Sequence, residues 1–114
     1  MKTLLLLFTL TIGAHRCHKD IEKSIPACIQ AKIDEIKNQN VWNPPAEVHE
    51  YSYQGKRVFY FTSNCCDQYN VVYDEECHYL CAPSGGITGR GDNKCPDFNS
   101  TAHEVRLVWK DPRK

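Results

Sequence analysis

The chain has 114 residues, with 14 Lys and Arg against 14 Asp and Glu, 7 cysteines and a hydrophobic share of 41%. That is enough for one small domain with a modest core, excludes a multidomain enzyme, and with a charged share of 25% excludes wholesale disorder. Setting Lys2 and Arg16 aside leaves 12 basic and 14 acidic side chains from Cys17 onward, a net of −2 with the signs alternating, which excludes the basic surface that a nucleic-acid partner requires.

Met1-Lys2-Thr3 precedes an apolar run, Leu4 to Ile12, broken only by Thr9 and Thr11 and followed by Gly13-Ala14: the anatomy of a secretory signal. The run is too short for a membrane-spanning helix, which takes about 20 residues. The expected division is a signal peptide over residues 1–16, a leader or tether over 17–23 and a single disulfide-stapled domain over 24–114. Cys17 stands where a bacterial lipoprotein carries its acylated cysteine, although His15 and Arg16 occupy the positions where a lipobox has small residues. Two readings stay open: an acylated Cys17 tethers the domain to a membrane surface, or Cys17 is removed, unpaired or bridged to another molecule.

Ser24 is placed to cap a helix in which Ile25, Cys28, Ile29, Ile33 and Ile36 recur at three- and four-residue steps, with Pro26 in the first turn. Lys32, Asp34, Glu35 and Lys37 lie off that stripe, and Asn38-Gln39-Asn40 ends it. Because Cys28 falls on the buried stripe, it is expected to staple the helix to whatever it covers. Trp42-Asn43-Pro44-Pro45 cannot continue a helix, and Glu47 to Tyr53 reads as a tyrosine-rich strand. Gln54-Gly55 makes a tight turn into Arg57–Phe61, which is apolar on both faces and therefore central in a sheet. Val71–Tyr73 and Val105–Trp109 supply two further strands, the last with Val105, Leu107 and Trp109 on one side. Pro83, Gly85, Gly86, Gly89, Gly91 and Pro96 mark residues 82–99 as a long irregular loop outside the sheet. The expected fold is α+β: one N-terminal helix packed on an antiparallel sheet of about four strands, with a long Gly/Pro-rich loop, stabilised by disulfides.

Without Cys17, six cysteines remain: Cys28, Cys65, Cys66, Cys77, Cys81 and Cys95. In an exported domain of this size an even set reads as three disulfides. Spacing does not choose among the pairings, except that a bridge between the adjacent Cys65 and Cys66 is set aside as strained.

Four stretches carry a family resemblance: Val41-Trp42-Asn43-Pro44-Pro45, Cys65-Cys66-Asp67-Gln68-Tyr69-Asn70, the run from Ala82 to Asp92, and Lys94-Cys95-Pro96-Asp97-Phe98. Over roughly Pro26 to Arg113 the chain resembles an uncharacterised family of small exported, often lipoprotein-like bacterial domains. The resemblance implies compartment and single-domain architecture, with no activity, substrate or cofactor. A shorter stretch, Cys66, six residues, Tyr73, three residues and Cys77, is similar to the centre of the Kazal-type protease inhibitor motif. There Cys65 and Cys66 leave no room for the inhibitory loop, and the spacing from Cys77 to Cys81 is one residue longer than that family uses.

Arg90-Gly91-Asp92 is the tripeptide that integrin ligands present on exposed loops; its plain structural reading is that Arg90 and Asp92 brace a glycine turn. His49, His78 and His103 lack metal-ligand spacing, and Cys77-His78-Tyr79-Leu80-Cys81 reads as disulfide chemistry rather than zinc in an oxidising compartment. Asp67, Asp74, Glu75 and Glu76 are candidate paired acids for a small hydrolase, against the plain reading as solvated turn residues. Asn99-Ser100-Thr101 is a glycosylation sequon in a eukaryotic host. The functional expectation is a non-enzymatic extracytoplasmic binding or structural domain without a cofactor. Its partner, a protein or envelope ligand, is met through the loop from Pro83 to Phe98 and the strand surface around Tyr51 and Tyr53. It touches a membrane only through a lipid on Cys17. The alternatives are a Kazal-like serine protease inhibitor and a small secreted hydrolase.

Overall fold

A computed structural model describes residues 23–114. The expected signal peptide, Cys17 and the expected leader up to residue 22 lie outside the described residues. The elements are α1 (Ala27–Lys37), β1 (Glu47–Tyr53), β2 (Lys56–Phe61), β3 (Tyr69–Asp74), β4 (Tyr79–Gly85), α2 (Phe98–Thr101) and β5 (His103–Lys110). The strands form one antiparallel sheet in the order β4-β3-β2-β1-β5, with β2 at its centre.

α1 begins one residue after Pro26, which sits at the N-cap position with extended ψ and contributes no side-chain cap. Ser24 is therefore not the cap; its carbonyl instead accepts a hydrogen bond from Arg57 Nη2 at 3.2 Å. Ile29, Ile33 and Ile36 are buried against Val48 of β1 and Phe59 and Phe61 of β2, with Val108 and Trp109 of β5 packed alongside. The helix C-terminus is closed from the far end of the chain. Arg113 donates to the carbonyl oxygens of Ile36, Lys37 and Gln39, and Asp111, buried beneath it, holds its guanidinium at 2.7 Å. The Ile36 carbonyl also accepts from Gln39 N–H at 3.0 Å, so the guanidinium adds to the closing turn and faces the negative end of the helix dipole.

The sheet has five strands where the sequence suggests four. β4 runs through Pro83 and Gly85, residues whose type marks a loop. Two features admit them: β4 is an edge strand, and its register against β3 shifts between the Asn70–Ser84 and Val72–Cys81 pairs, where Pro83 sits. A residue without an N–H is tolerated at an edge or a bulge. A register shift also divides the apolar set of β5, because Val48 pairs with Trp109 while its neighbour His49 pairs with Leu107. Trp109 thus turns toward α1, and Val105 and Leu107 are left exposed.

The opposite face of the sheet has its own core, in which Phe98 of α2 is buried with Tyr53, Val58, Val72, Cys81 and Cys95. The Cys81–Cys95 disulfide ties that layer to β4, and Cys28–Cys77 ties α1 to the β3–β4 turn. Closing loops of 14 and 49 residues, such bridges are worth about 3 and about 4 kcal/mol in the chain-entropy account. The third bridge joins Cys65 to Cys66, the pairing set aside on sequence grounds. The other four cysteines are already paired, and the backbone accommodates a bridge between neighbours by placing Cys65, Cys66 and Asp67 all at positive φ.

Candidate functional site

The loop after β4 is shaped by its own backbone. Gly91 N–H donates to the Gly85 carbonyl and Asp92 N–H to the Ala82 carbonyl. Gly91 has φ +75, and a Cβ there would overlap the Ala82 carbonyl oxygen, so this position requires glycine. The Asp92 carboxylate is committed to the loop. Oδ1 accepts from the N–H groups of Ala82 at 3.1 Å and Lys94 at 3.0 Å, and Oδ2 accepts from the Tyr79 hydroxyl. Burial works to raise the Asp92 pKa, but these hydrogen bonds and the Lys94 charge outweigh it and hold the carboxyl below its ordinary value. Burial and the same hydrogen bond push the Tyr79 phenol up to about 12. Of the tripeptide only Arg90 presents its side chain to solvent, beside Ile87, which is 91% exposed at the tip.

The tyrosines offered as a binding surface are largely used in seating α2. Phe98 lies 5.1 Å, ring to ring, from both Tyr51 and Tyr53, and the Tyr53 hydroxyl donates to Asp97 at 2.6 Å. Beyond Phe98 the face carries His49, whose ring nitrogen meets the Glu104 carboxylate at 2.5 Å, and the half-buried Tyr60, which shares a hydrogen bond with Ser84.

Three of the four acidic candidates, Asp74, Glu75 and Glu76, line one concavity with Lys23, Lys56 and Arg57, and Asp67 does not. Asp74 is the last residue of β3 and Asp67 lies two residues before its first, so the length of the strand, about 17 Å at the usual rise, stands between them. Asp74 organises the β3–β4 turn, accepting from the N–H groups of Glu76 and His78 and pairing with the His78 ring at 3.1 Å. Burial opposes ionisation there, yet those donors hold its carboxyl below the ordinary value. Glu75 pairs with Arg57, and Glu76 is exposed. Among the described residues no three His, Cys, Asp or Glu are grouped to hold a metal, and no helix is long and apolar enough to cross a membrane.

A further concavity lies between α1 and β3. A helix is about 10–12 Å across, whereas five strands at about 4.8 Å spacing span nearly twice that. α1 packs over β1, β2 and the end of β5 and covers β3 only in part: Tyr73 packs against this core, while Tyr69 stays exposed. The result is a groove of about 230 Å³ lined by Lys32, Glu35 and Gln39 on one wall, and by Trp42, Tyr69 and Tyr73 among others. The Trp42 indole N–H donates to Gln39 Oε1 at 2.9 Å, the Lys32 ammonium lies 4.3 Å from the Tyr73 ring centre, and Tyr69 is 48% exposed. The sequence carries a signal for this site: Tyr69, Val71 and Tyr73 alternate onto one strand face, and Lys32, Glu35 and Gln39 flank the buried helix stripe.

An N-terminal helix on a five-stranded antiparallel sheet, bridged three times by disulfides, defines a small domain of the kind found outside the reducing cytosol. The chain belongs to a family of domains of unknown function, DUF6970, which matches residues 34–111 and so takes in all five strands. No curated protein and no solved structure matches it.

Proposed function

We propose that this is a non-enzymatic extracytoplasmic binding domain whose ligand lies in the groove between α1 and β3. The observation that carries the reading is the gathering of Trp42, Tyr69 and Tyr73 with Lys32, Glu35, Gln39 and Thr62 in one concavity at the margin of the α1-side core, whose Ile36 and Phe61 form part of its lining. Aromatic faces edged by hydrogen-bonding side chains suit a ligand with an apolar ring face and polar edges, the chemistry of a short saccharide. A binding role over hydrolysis is supported by the separation of Asp67 from Asp74 and by the use of Asp74 as a turn brace. The inhibitor reading draws no support from the loop: Arg90 lies between Gly89 and Gly91, both at positive φ, and Cys66 is joined to Cys65.

Trp42 makes the groove readable by fluorescence. Titration with hexose and amino-sugar oligomers is expected to give a saturable change in emission that is lost in Tyr69→Ala and unaffected by Arg90→Ala. A saturable response that survives Tyr69→Ala but disappears in Arg90→Ala would move the site to the loop. No saturable response across the panel would remove the saccharide assignment.

A further inference from the structure

Two of the three disulfides staple the fold; the third does not. Cys28–Cys77 and Cys81–Cys95 close loops of 49 and 14 residues, whereas Cys65–Cys66 closes none, so its contribution to constraining the unfolded chain is negligible. Accessibility divides them the same way. Cys81 and Cys95 are buried, Cys28 and Cys77 are half-buried, and both Cys65 and Cys66 are exposed in the connection between β2 and β3.

The backbone around the adjacent pair is held in a conformation that its residue types disfavour. Cys65, Cys66 and Asp67 have φ of 39, 38 and 63, three consecutive non-glycine residues in the left-handed region. The loop is pinned on both sides of them by side-chain amides: Ser63 N–H donates to Asn70 Oδ1 at 2.8 Å, and Asn64 Oδ1 accepts from Asn43 N–H at 3.3 Å. Opening the bridge releases the backbone between those pins, and the two cores, which contain neither sulfur, are not called on to change.

We propose that Cys65–Cys66 is a thiol–disulfide exchange site, open to low-molecular-weight thiols while both framework bridges stay oxidised. An external thiolate attacks one of the two sulfurs in line with the bridge. The Cys65–Cys66 bond breaks as the mixed disulfide forms, and the displaced sulfur leaves as a thiolate and takes a proton from water. A second external thiolate then attacks the mixed disulfide and frees the remaining cysteine. Two external thiols are oxidised to one external disulfide for each bridge reduced to a dithiol, and the reverse sequence restores the bridge.

The test is differential alkylation of the oxidised protein equilibrated in reduced and oxidised dithiothreitol at graded ratios, quenched with acid and mapped cysteine by cysteine. Cys65 and Cys66 are expected to reach half-labelling at a reduced-to-oxidised ratio at least about tenfold below that required by the other four, and to lose their label sites when the ratio is reversed before quenching. Coincident labelling of all six, or labelling of Cys65 and Cys66 only after the framework cysteines, would overturn the proposal. A Cys65→Ser, Cys66→Ser variant keeps the test independent of unfolding. It is expected to keep the wild-type Tm and the wild-type labelling of the other four cysteines, and a collapse of either would assign the pair to the framework instead.

Discussion

Arg90 and Asp92 are two positions apart and have opposite situations, one solvent-exposed and the other tied to Ala82, Lys94 and Tyr79. Arg90→Ala is therefore expected to leave stability within about 0.5 kcal/mol of wild type. Asp92→Ala strands two N–H groups and is expected to cost about 1–3 kcal/mol. Gly91→Ala should also destabilise the domain, since its backbone position excludes a Cβ. Urea unfolding of the three variants checks this. The pH dependence follows from the lowered Asp92 pKa. The unfolded chain takes up the proton first as pH falls, so the contribution of Asp92 is full above the ordinary carboxylate range and is lost as pH falls through it toward the folded value. The gap in urea midpoint between wild type and Asp92→Asn should accordingly narrow between about pH 7 and about pH 3. A gap that stays constant would mean that its charge does not brace the loop.

Glu50 shows the same logic in a more buried setting. Its side chain is 6% exposed on the helix face of β1, where it accepts from Arg57 Nη2 at 2.9 Å and Arg106 Nε at 3.2 Å. Burial favours the neutral acid, but the two guanidinium groups prevail and hold its pKa below the ordinary value. The arginines reach on to the carbonyls of Ser24 and Lys23, so the cluster fixes the chain where it enters α1. Glu50→Ala leaves two cations facing each other beside the core and is expected to cost about 3 kcal/mol, toward the lower end for a broken buried pair because both arginines keep some contact with water. Equilibrium denaturation reads the loss directly, and a loss under about 1 kcal/mol would show the cluster to be dispensable.

At the scale of elements, α1 is the piece on which one layer depends. Ile33→Ala is expected to cost about 2–5 kcal/mol, because the side chain is 1% exposed between β1 and β2 and the bridge at Cys28 limits how far the helix can settle into the space left. The same change at Lys32, one residue away on the groove wall, should leave the denaturation midpoint nearly unmoved. Much of this architecture is legible from residue pattern. The three- and four-residue steps from Ile29 to Ile36 mark the helix face, the Gln54-Gly55 turn fixes the β1–β2 hairpin, and apolar residues on both faces place β2 at the centre. What the pattern hides has a local physical cause in each case. Pro83 and Gly85 disguise β4 because an edge strand tolerates residues that a central strand excludes. The register shift at Val48 and His49 sends Trp109 and Leu107 to different faces, although their spacing in the sequence puts them on one. The walls of the groove are legible in the alternation of Tyr69, Val71 and Tyr73, but the space between them arises from the lateral offset of a helix on a sheet, a relation between elements that no single stretch encodes. Ordinary backbone geometry argues against the adjacent bridge, and three successive positive φ values bypass it.

For the whole molecule, the covalent framework carries the argument about where the protein works. A domain of this size has a limited core, and the two spanning bridges add about 7 kcal/mol between them in the chain-entropy account, comparable with the entire stability of many small domains. Such a framework holds only where thiols stay oxidised. Protein recovered from its native envelope or medium is therefore expected to show no alkylation at Cys28, Cys77, Cys81 and Cys95 before reduction, and full alkylation at all four after it, in intact and peptide mass spectra. The same spectra read Cys17, which lies outside the described residues: an acyl increment on a chain starting there establishes the tether, and an unacylated chain establishes free export. Labelling of the four framework cysteines without reductant would instead place the chain among reduced thiols. The domain would then have to stand on its two hydrophobic cores alone, and the case for an extracytoplasmic ligand would fall with the bridges.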